Sequence, residues 1–211
     1  MTPPARILVV AATSQELAPP GDWIGVACGV GPVEAAVRTA RAIAEHRPEA
    51  LLHVGIAGAR QRWACPPGTL VVGERSRYCD LGDMPAEWAP RDLTPSAALL
   101  QCVRDQLPHA RCTGIGTSGR VGGTSDCDVE AMEGFAVLRA AQLAGVPAIE
   151  VRAISNDIEE VDRARWHFGV ALAAIVEVTP FLVTALQHNL QHNLQHLSLI
   201  HISEPTRLRR I

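Results

Sequence analysis

Short apolar runs alternate along this chain with longer amphipathic stretches, and this alternation constrains the fold more than any other feature. Runs of strand length occupy residues 6–12, 23–28, 50–54, 69–73 and 148–154. Helical patterns occupy residues 33–46, 95–107, 130–144 and 162–186, and we expect Pro180 to kink or split the last of them. Because alternating strands and helices form a mostly parallel sheet covered on both faces, we predict a single α/β domain.

The last 25 residues do not share this pattern. Residues 187–196 (QHNLQHNLQH) are a polar repeat with no core pattern, and residues 197–207 (LSLIHISEPTR) resemble a translated sequencing-library adapter. We therefore assign residues 1–186 to the domain and predict that residues 187–211 are a non-native or disordered tail.

Composition excludes several kinds of chemistry. The chain of 211 residues has no lysine, so a Walker-type phosphate loop, a Schiff base and a pyridoxal phosphate anchor are ruled out. A formal net charge of −3 argues against nucleic acid as a partner. No stretch of about 20 uninterrupted apolar residues occurs, so we expect no membrane span. The six cysteines form no C-x-x-C pair, so we expect no metal site and a reduced, cytoplasmic setting.

Polar residues that follow the predicted strands are the candidates for chemistry, since ligands of such sheets bind beyond the carboxyl ends of the strands. Glu16 follows the first strand, where a carboxylate serves either as a general base or as an ordinary solvated side chain. Asn156 follows the strand at 148–154, where its amide either contacts a base edge or belongs to a turn at residues 155–157.

Two further charged residues lie in apolar surroundings. Glu133 lies within the helical pattern at 130–144, where its oxygens suit a pair of sugar hydroxyls or simply cap the helix. Arg152 lies inside a strand that is predicted to be buried, so it needs a carboxylate partner, and Glu133 and Glu150 are the candidates.

Glycine-rich segments are frequent but do not form a dinucleotide fingerprint. The strings GVG, GIAG and GTSGRVGG lack the G-x-G-x-x-G form in a strand–helix context, so a dinucleotide cofactor is not supported. Residues 114–123 contain five glycines, and we predict that they form a loop.

Four segments in order resemble the motifs of the nucleoside phosphorylase/nucleosidase superfamily. They are CGVGPVEAA from Cys28, HVGIAGA from His53, DVEAMEGFAV from Asp128 and EVRAISND from Glu150. Within the superfamily, the strings AMEG, RAISN and DRARW resemble the futalosine hydrolases most. The resemblance covers about residues 6–186 and implies a three-layer α/β/α domain around a mixed, mostly parallel sheet.

The resemblance also implies roles for individual residues. Glu16 would activate water, and Glu133 would bind the ribose 2′- and 3′-hydroxyls with Arg152 orienting it. Met132 would pack on the ribose, and the sugar and base pocket would be lined by Ile56, Ala57 and Gly58. Ser155 and Asn156 would contact the leaving purine. Trp166 would cover the 5′ side of the nucleoside, or be a core residue of the last helix.

The implied reaction is hydrolysis of the N-glycosidic bond of a 6-oxopurine nucleoside, with futalosine yielding hypoxanthine and dehypoxanthinyl futalosine. The Asn156 amide favours a 6-oxopurine because its N–H donates to the carbonyl at C6. Alternatives are a methylthioadenosine/S-adenosylhomocysteine nucleosidase, a purine nucleoside phosphorylase, or a nucleoside-binding module without activity.

Water is favoured over phosphate as the acceptor because the loop at residues 13–21 has no arginine, although Arg60 and Arg75 remain candidate phosphate ligands. Arg163 and Arg165 are candidates for the carboxylate of futalosine. We expect no cofactor and no metal. The resemblance implies a small-molecule nucleoside substrate and a homodimer or larger homo-oligomer.

Overall fold

The computed structural model describes residues 3–202 except 83, 86 and 124, with side chains described as far as residue 192. Its eight strands are β1 (Ile7–Ala11), β2 (Ile24–Ala27), β3 (Ala50–Ala59), β4 (Leu70–Tyr78), β5 (Asp92–Leu93), β6 (Arg111–Thr117), β7 (Val129–Ala131) and β8 (Ala148–Asp157). Its four α-helices are α1 (Pro32–His46), α2 (Ala97–Gln106), α3 (Gly134–Leu143) and α4 (Phe168–Ile202). Single 3₁₀ turns cover Ser14–Glu16, Gln61–Trp63 and Arg163–Arg165.

The strands form one mixed sheet that is mostly parallel, as predicted. Strand β1 pairs in parallel with β2 on one side and with β3 on the other. Strand β3 also pairs with both β8 and β7, while β4 pairs with β8 and β6, and β6 pairs with β7. Strands β3, β8, β4, β6 and β7 therefore close into a ring, and β5 lies at the edge beside β4.

Alternate side chains of β1 enter two different cores. Ile7 and Val9 pack with apolar residues of α2 and α4, whereas Leu8 and Val10 pack with residues of α1 and α3. Burying each such side chain stabilises the fold by about 1.5–3 kcal/mol. The sheet thus lies between two helical layers, and the predicted three-layer α/β/α arrangement is confirmed.

The glycine-rich stretch at residues 114–123 is not wholly a loop, so that prediction is wrong for its first part. Gly114 and Gly116 lie within β6. A Cβ on Gly116 would stand 3.0 Å from the Sγ of Cys79 and 3.2 Å from the Cβ of Cys127. Glycine is needed there for close packing, whereas Gly122 and Gly123 do adopt positive φ in the following loop.

Two other predicted boundaries are also wrong. The helical pattern at 130–144 begins only at Gly134, because Val129–Ala131 pair with β6 and β3 as a short strand. Residues 155–157 extend β8 instead of forming a turn. In both places backbone pairing with neighbouring strands outweighs the local preference of the sequence.

Helix α4 is one helix of 35 residues that continues through Pro180, so the expected split is absent. Ile175 before the proline and Leu182 after it are both fully buried in the same core. Packing on both sides therefore holds the helix together despite the hydrogen bond that proline cannot donate.

The helix also extends past residue 186, where we placed the domain boundary. The Gln187 side chain is buried and donates to the carbonyl oxygens of Ala5 and Asp22. The segment Phe168–His192 is long and apolar enough to span a membrane, with a mean hydropathy of 2.0. The same segment supplies core residues that pack on β3 and β8. Residues 203–211, which include part of the adapter-like string, lie outside the described residues.

Replacing Gly134 by alanine tests the close packing of α3 on β8. A Cβ at this position would collide with the carboxylate of the buried Glu150. We expect Gly134→Ala to lower the free energy of unfolding by about 1–3 kcal/mol, measured by urea denaturation. Gly169→Ala is the matched control, because a Cβ on Gly169 in α4 meets nothing within 4 Å and should leave stability equal or higher. Equal effects of the two substitutions would contradict the packing described here.

Candidate active site

A cavity of about 400 Å³ opens beyond the carboxyl ends of β1, β3 and β8. Nine of the ten predicted site residues line it, and only Arg152 lies behind its wall. The nine are Glu16, Ile56, Ala57, Gly58, Met132, Glu133, Ser155, Asn156 and Trp166. Residues from five separated segments therefore converge on one site.

Glu16 ends the first 3₁₀ turn with its side chain 4% exposed. Its Oε2 accepts hydrogen bonds from the backbone N–H of Thr13 (2.8 Å) and from the Thr13 hydroxyl (2.9 Å), and its Oε1 accepts from the N–H of Ile56 (3.2 Å). An ionised carboxylate has about four acceptor positions, so roughly one remains for a water molecule in the cavity.

Glu133 directly precedes α3, and its backbone is the cap of that helix. Its Oε1 accepts from the backbone N–H of Gly31, which has a φ of 89° and is the N-cap residue directly before α1. Burial raises the pKa of the Glu133 carboxyl, and the nearby Arg152 guanidinium opposes that rise. Glu133 also lines the cavity.

Arg152 is completely buried and joins the two carboxylates that the sequence offered as partners. Its Nε donates to Oε1 of Glu150 at 2.8 Å, and its Nη1 lies 3.6 Å from Oε2 of Glu133. Burial alone would lower the pKa of the guanidinium, but Glu150 and Glu133 outweigh burial and hold it above its usual value. Arg152 is therefore a buried cation that positions Glu133 from behind.

His53 completes this buried group, and sequence reasoning missed it. Its Nδ1 lies 2.9 Å from the carbonyl oxygen of Val10, and its Nε2 contacts Nη2 of Arg152. A carbonyl only accepts and a guanidinium only donates, so the ring is neutral with its proton on Nδ1. Burial and then Arg152 lower the pKa of His53 well below its ordinary value of 6.5. A histidine within the apolar run at 50–54 was the available signal.

The absence of a side chain at Gly55 makes room for the Arg152 guanidinium and the Glu16 carboxylate. A Cβ on Gly55 would collide with Nη1 of Arg152 and would stand 2.9 Å from Oε1 of Glu16. The glycine of the HVGIAGA motif therefore allows the guanidinium and the Glu16 carboxylate to approach the same point of β3.

A bulge in the pairing of β3 with β8 turns both Ser155 and Asn156 toward the cavity. The register shifts between Ala57 and Gly58, so that Gly58 pairs with Asn156 and Ser155 is the extra residue. The Ser155 hydroxyl donates to Oδ1 of Asn156 at 2.7 Å, and Nδ2 donates to the carbonyl oxygen of Asp157 at 2.8 Å. One N–H of the Asn156 amide is left for a ligand.

The outer wall of the cavity includes Trp166 and Arg163. The indole N–H of Trp166 donates to the carbonyl oxygen of Glu160, and its ring packs on Phe168 with centroids 5.4 Å apart. The Arg163 guanidinium lies 5.8 Å from the Trp166 ring centroid. By contrast, Arg165 is 73% exposed, pairs with Glu160 and does not line the cavity.

Residues 118–123 and 125–128, called the roof loop below, border a part of the cavity to which sequence reasoning assigned no residues. Arg120, Val121 and Gly122 of this loop line the cavity, as does the buried Glu130 just after it. Glu130 accepts from the backbone N–H and the hydroxyl of Ser125. A glutamate inside the strand-forming segment before Met132 was the signal for this contact.

The two arginines considered as phosphate ligands are both engaged elsewhere. Arg60 donates to Glu159 at 2.5 Å and to the carbonyl oxygens of Ser125 and Cys127. Arg75 lies 3.6 Å from Asp92 and does not line the cavity. Within the described part of the chain, no group of three or more His, Cys, Asp or Glu side chains could hold a metal ion.

The neutral, buried His53 predicts a loss of stability in acid. Its pKa is depressed in the folded state, so the unfolded chain binds the additional proton, and the stabilisation is lost as pH falls through 6.5. Urea unfolding between pH 5 and pH 8 should show a smaller acid loss for His53→Gln than for the original protein. Substitution of the exposed His109 by Gln should leave the acid loss unchanged. An identical pH profile for His53→Gln would contradict the assignment of the neutral ring.

Comparison with known proteins agrees with this fold. The sequence model of the Phosphorylase superfamily matches residues 21–179. The chain is 33% identical over 192 residues to futalosine hydrolase from Streptomyces coelicolor, covering 80% of this chain and 81% of that protein.

Solved structures with the same fold are more distant in sequence. A methylthioadenosine/S-adenosylhomocysteine nucleosidase from Colwellia psychrerythraea in complex with adenine has a TM-score of 0.77 at 17% identity, covering 87% of this chain and 96% of its own. Futalosine hydrolase from Helicobacter pylori has a TM-score of 0.72 at 16% identity, covering 89% and 98%. The match of the superfamily model to residues 21–179 and the 33% identity to the Streptomyces coelicolor protein show that the chain belongs to the phosphorylase superfamily and, within it, to the futalosine hydrolase family.

Proposed function

We propose that this protein is an N-glycosidase that hydrolyses futalosine to hypoxanthine and dehypoxanthinyl futalosine. The observation that carries the proposal is the convergence of Glu16, Glu133 and Asn156 on one cavity. These side chains supply a base for water, acceptors for sugar hydroxyls and a donor for a purine carbonyl. The identity to the Streptomyces coelicolor futalosine hydrolase supports the choice of nucleoside.

The reaction begins as the bond between C1′ and the purine nitrogen lengthens and the ribose gains positive charge. Glu133 accepts hydrogen bonds from the 2′- and 3′-hydroxyls, and its negative charge stabilises the cationic sugar. Arg152, which faces Glu133 at 3.6 Å, keeps that carboxylate in place. Met132 packs on the ribose, while Ile56, Ala57 and Gly58 border the sugar and base.

Glu16 removes a proton from the water that attacks C1′. Its three hydrogen bonds, from Thr13 and Ile56, fix the carboxylate without occupying all its acceptor positions. The departing purine takes up the electron pair of the broken bond, and the free N–H of Asn156 donates to its C6 oxygen. An aspartate at this position would repel that oxygen, which is why the amide favours hypoxanthine over adenine.

Arg163 is our candidate for the carboxylate at the far end of futalosine. It lines the cavity beside Trp166, which covers the 5′ side of the nucleoside. Arg165 is a poorer candidate because it lies outside the cavity and pairs with Glu160. We also propose that the protein acts in the cytoplasm as a homodimer or larger homo-oligomer.

Product analysis with and without phosphate tests the proposed reaction. The protein should release hypoxanthine from futalosine at the same rate in both buffers, detected by chromatography. Glu16→Gln should lower kcat by about 10²–10⁴-fold because the general base is lost, whereas substitution of the exposed Glu45 by Gln should not. Dependence on phosphate would indicate a phosphorylase, and faster release of adenine from methylthioadenosine would indicate a methylthioadenosine nucleosidase.

The preference for a 6-oxopurine is tested by Asn156→Asp. Loss of the amide donor should lower kcat/KM for futalosine by about 5- to 150-fold relative to its adenine analogue. Gln106→Glu is the matched control, because it makes the same change from amide to carboxylate at an exposed position of α2 outside the cavity. An unchanged preference in Asn156→Asp would show that the base is recognised elsewhere.

Recognition of the futalosine carboxylate is tested by Arg163→Gln. A lost charged hydrogen bond corresponds to about 1.5–3 kcal/mol, so KM for futalosine should rise at least tenfold while KM for inosine stays the same. Arg165→Gln should leave both values unchanged. Equal changes in KM for futalosine and inosine would rule out a specific contact between Arg163 and the carboxylate.

A further inference from the structure

Two cysteines from distant parts of the sequence lie beside each other under the roof loop. Cys79 directly follows β4, and Cys127 lies in the roof loop just before β7. The Sγ of Cys79 and the Cβ of Cys127 both come within 3.2 Å of the point where a Cβ on Gly116 would stand. Both cysteines are free. No side chain of β6 separates them, because residue 116 is glycine.

The surroundings of Cys127 favour its thiolate. The guanidinium of Arg77 is close enough to stabilise a negative charge on the Cys127 sulfur. Arg77 also pairs with the neighbouring Asp126 at 3.6 Å. Hydrogen bonding from Cys79, together with Arg77, outweighs burial and lowers the pKa of the Cys127 thiol to about 7. A thiolate is the form that reacts with oxidants.

The pair is connected to the cavity through two sets of hydrogen bonds. Ser125 donates from its hydroxyl to Glu130, which lines the cavity, and the same oxygen accepts from the N–H of Cys127. At the other end of the roof loop, Asp80 accepts from the hydroxyl of Ser118 and from the N–H of Gly119. Asp80 therefore already holds the first end of the roof loop. A bond from the adjacent Cys79 to Cys127 would hold its second end as well.

We propose that Cys79 and Cys127 form an oxidisable site that takes a peroxide and restricts the roof loop over the cavity. The Cys127 thiolate attacks one peroxide oxygen, the O–O bond breaks, and the second oxygen leaves as water after it takes up a proton. The Cys79 sulfur then attacks the resulting sulfenic acid, the S–S bond forms, and a second water leaves with the Cys79 proton. Two thiols are oxidised to one disulfide, and the peroxide is reduced to two waters.

Mass spectrometry of the full chain after treatment with hydrogen peroxide tests for the bond. We expect a cross-linked peptide that joins Cys79 to Cys127 with the loss of two hydrogen atoms, and its disappearance on addition of dithiothreitol. Cys79→Ser and Cys127→Ser should lack the cross-link, whereas Cys102→Ser, at a half-buried cysteine of α2, should retain it. Sulfinic or sulfonic acid at Cys127 without any cross-link would overturn the proposal.

Cleavage by trypsin after Arg120 tests the restriction of the loop and does not depend on the proposed function. Arg120 is exposed in the roof loop, and cleavage there should slow at least fivefold in the oxidised protein but not in oxidised Cys127→Ser. A second measurement, which rests on the proposed function, is kcat/KM for futalosine. We expect it to fall at least fivefold in the oxidised protein and to recover on addition of dithiothreitol. Unchanged cleavage in the cross-linked protein would overturn the restriction, and so would an unchanged kcat/KM in a cross-linked, active enzyme.

Discussion

The buried charge of Arg152 is the constraint on which the rest of the site depends. A cation with no exposed surface is tolerated only where partners surround it, and here they are Glu150, Glu133 and the neutral ring of His53. These partners come from β8, from the residue before α3 and from β3. Satisfying one charge therefore fixes three elements relative to one another, and it places a carboxylate on the cavity wall.

The same constraint explains glycines that no turn requires. Gly55 and Gly134 have no side chains because the guanidinium of Arg152 and the carboxylate of Glu150 occupy the space where a Cβ would stand. The motif HVGIAGA thus contains His53 together with Gly55, which makes room for Arg152. The motif DVEAMEGFAV contains Glu133 together with Gly134, which makes room for Glu150. Removing one member of such a set leaves a buried charge without compensation, which is more damaging than losing an exposed ion pair.

Sequence patterns predicted the layers, the mostly parallel sheet and the superfamily, because burial on both faces of a sheet and motif spacing are local properties. They also predicted Glu133 and Glu150 as partners of Arg152. They did not predict that Gly114 and Gly116 lie in β6 or that α4 continues through Pro180, since long-range packing decides both. His53 was missed because its partners, Val10 and Arg152, are distant in the sequence.

We propose that the carboxylate of Glu133, held by Arg152, binds the ribose hydroxyls of the substrate. The direct measurement is kcat/KM for futalosine and for its 2′-deoxy analogue, with the original protein and with Glu133→Gln. Comparing the two substrate ratios cancels the intrinsic reactivity of the deoxy sugar. We expect the ratio of kcat/KM for futalosine to that for the analogue to fall about 10- to 100-fold on substitution, because a hydrogen bond to a charged group is lost. The same ratio in both proteins would contradict it.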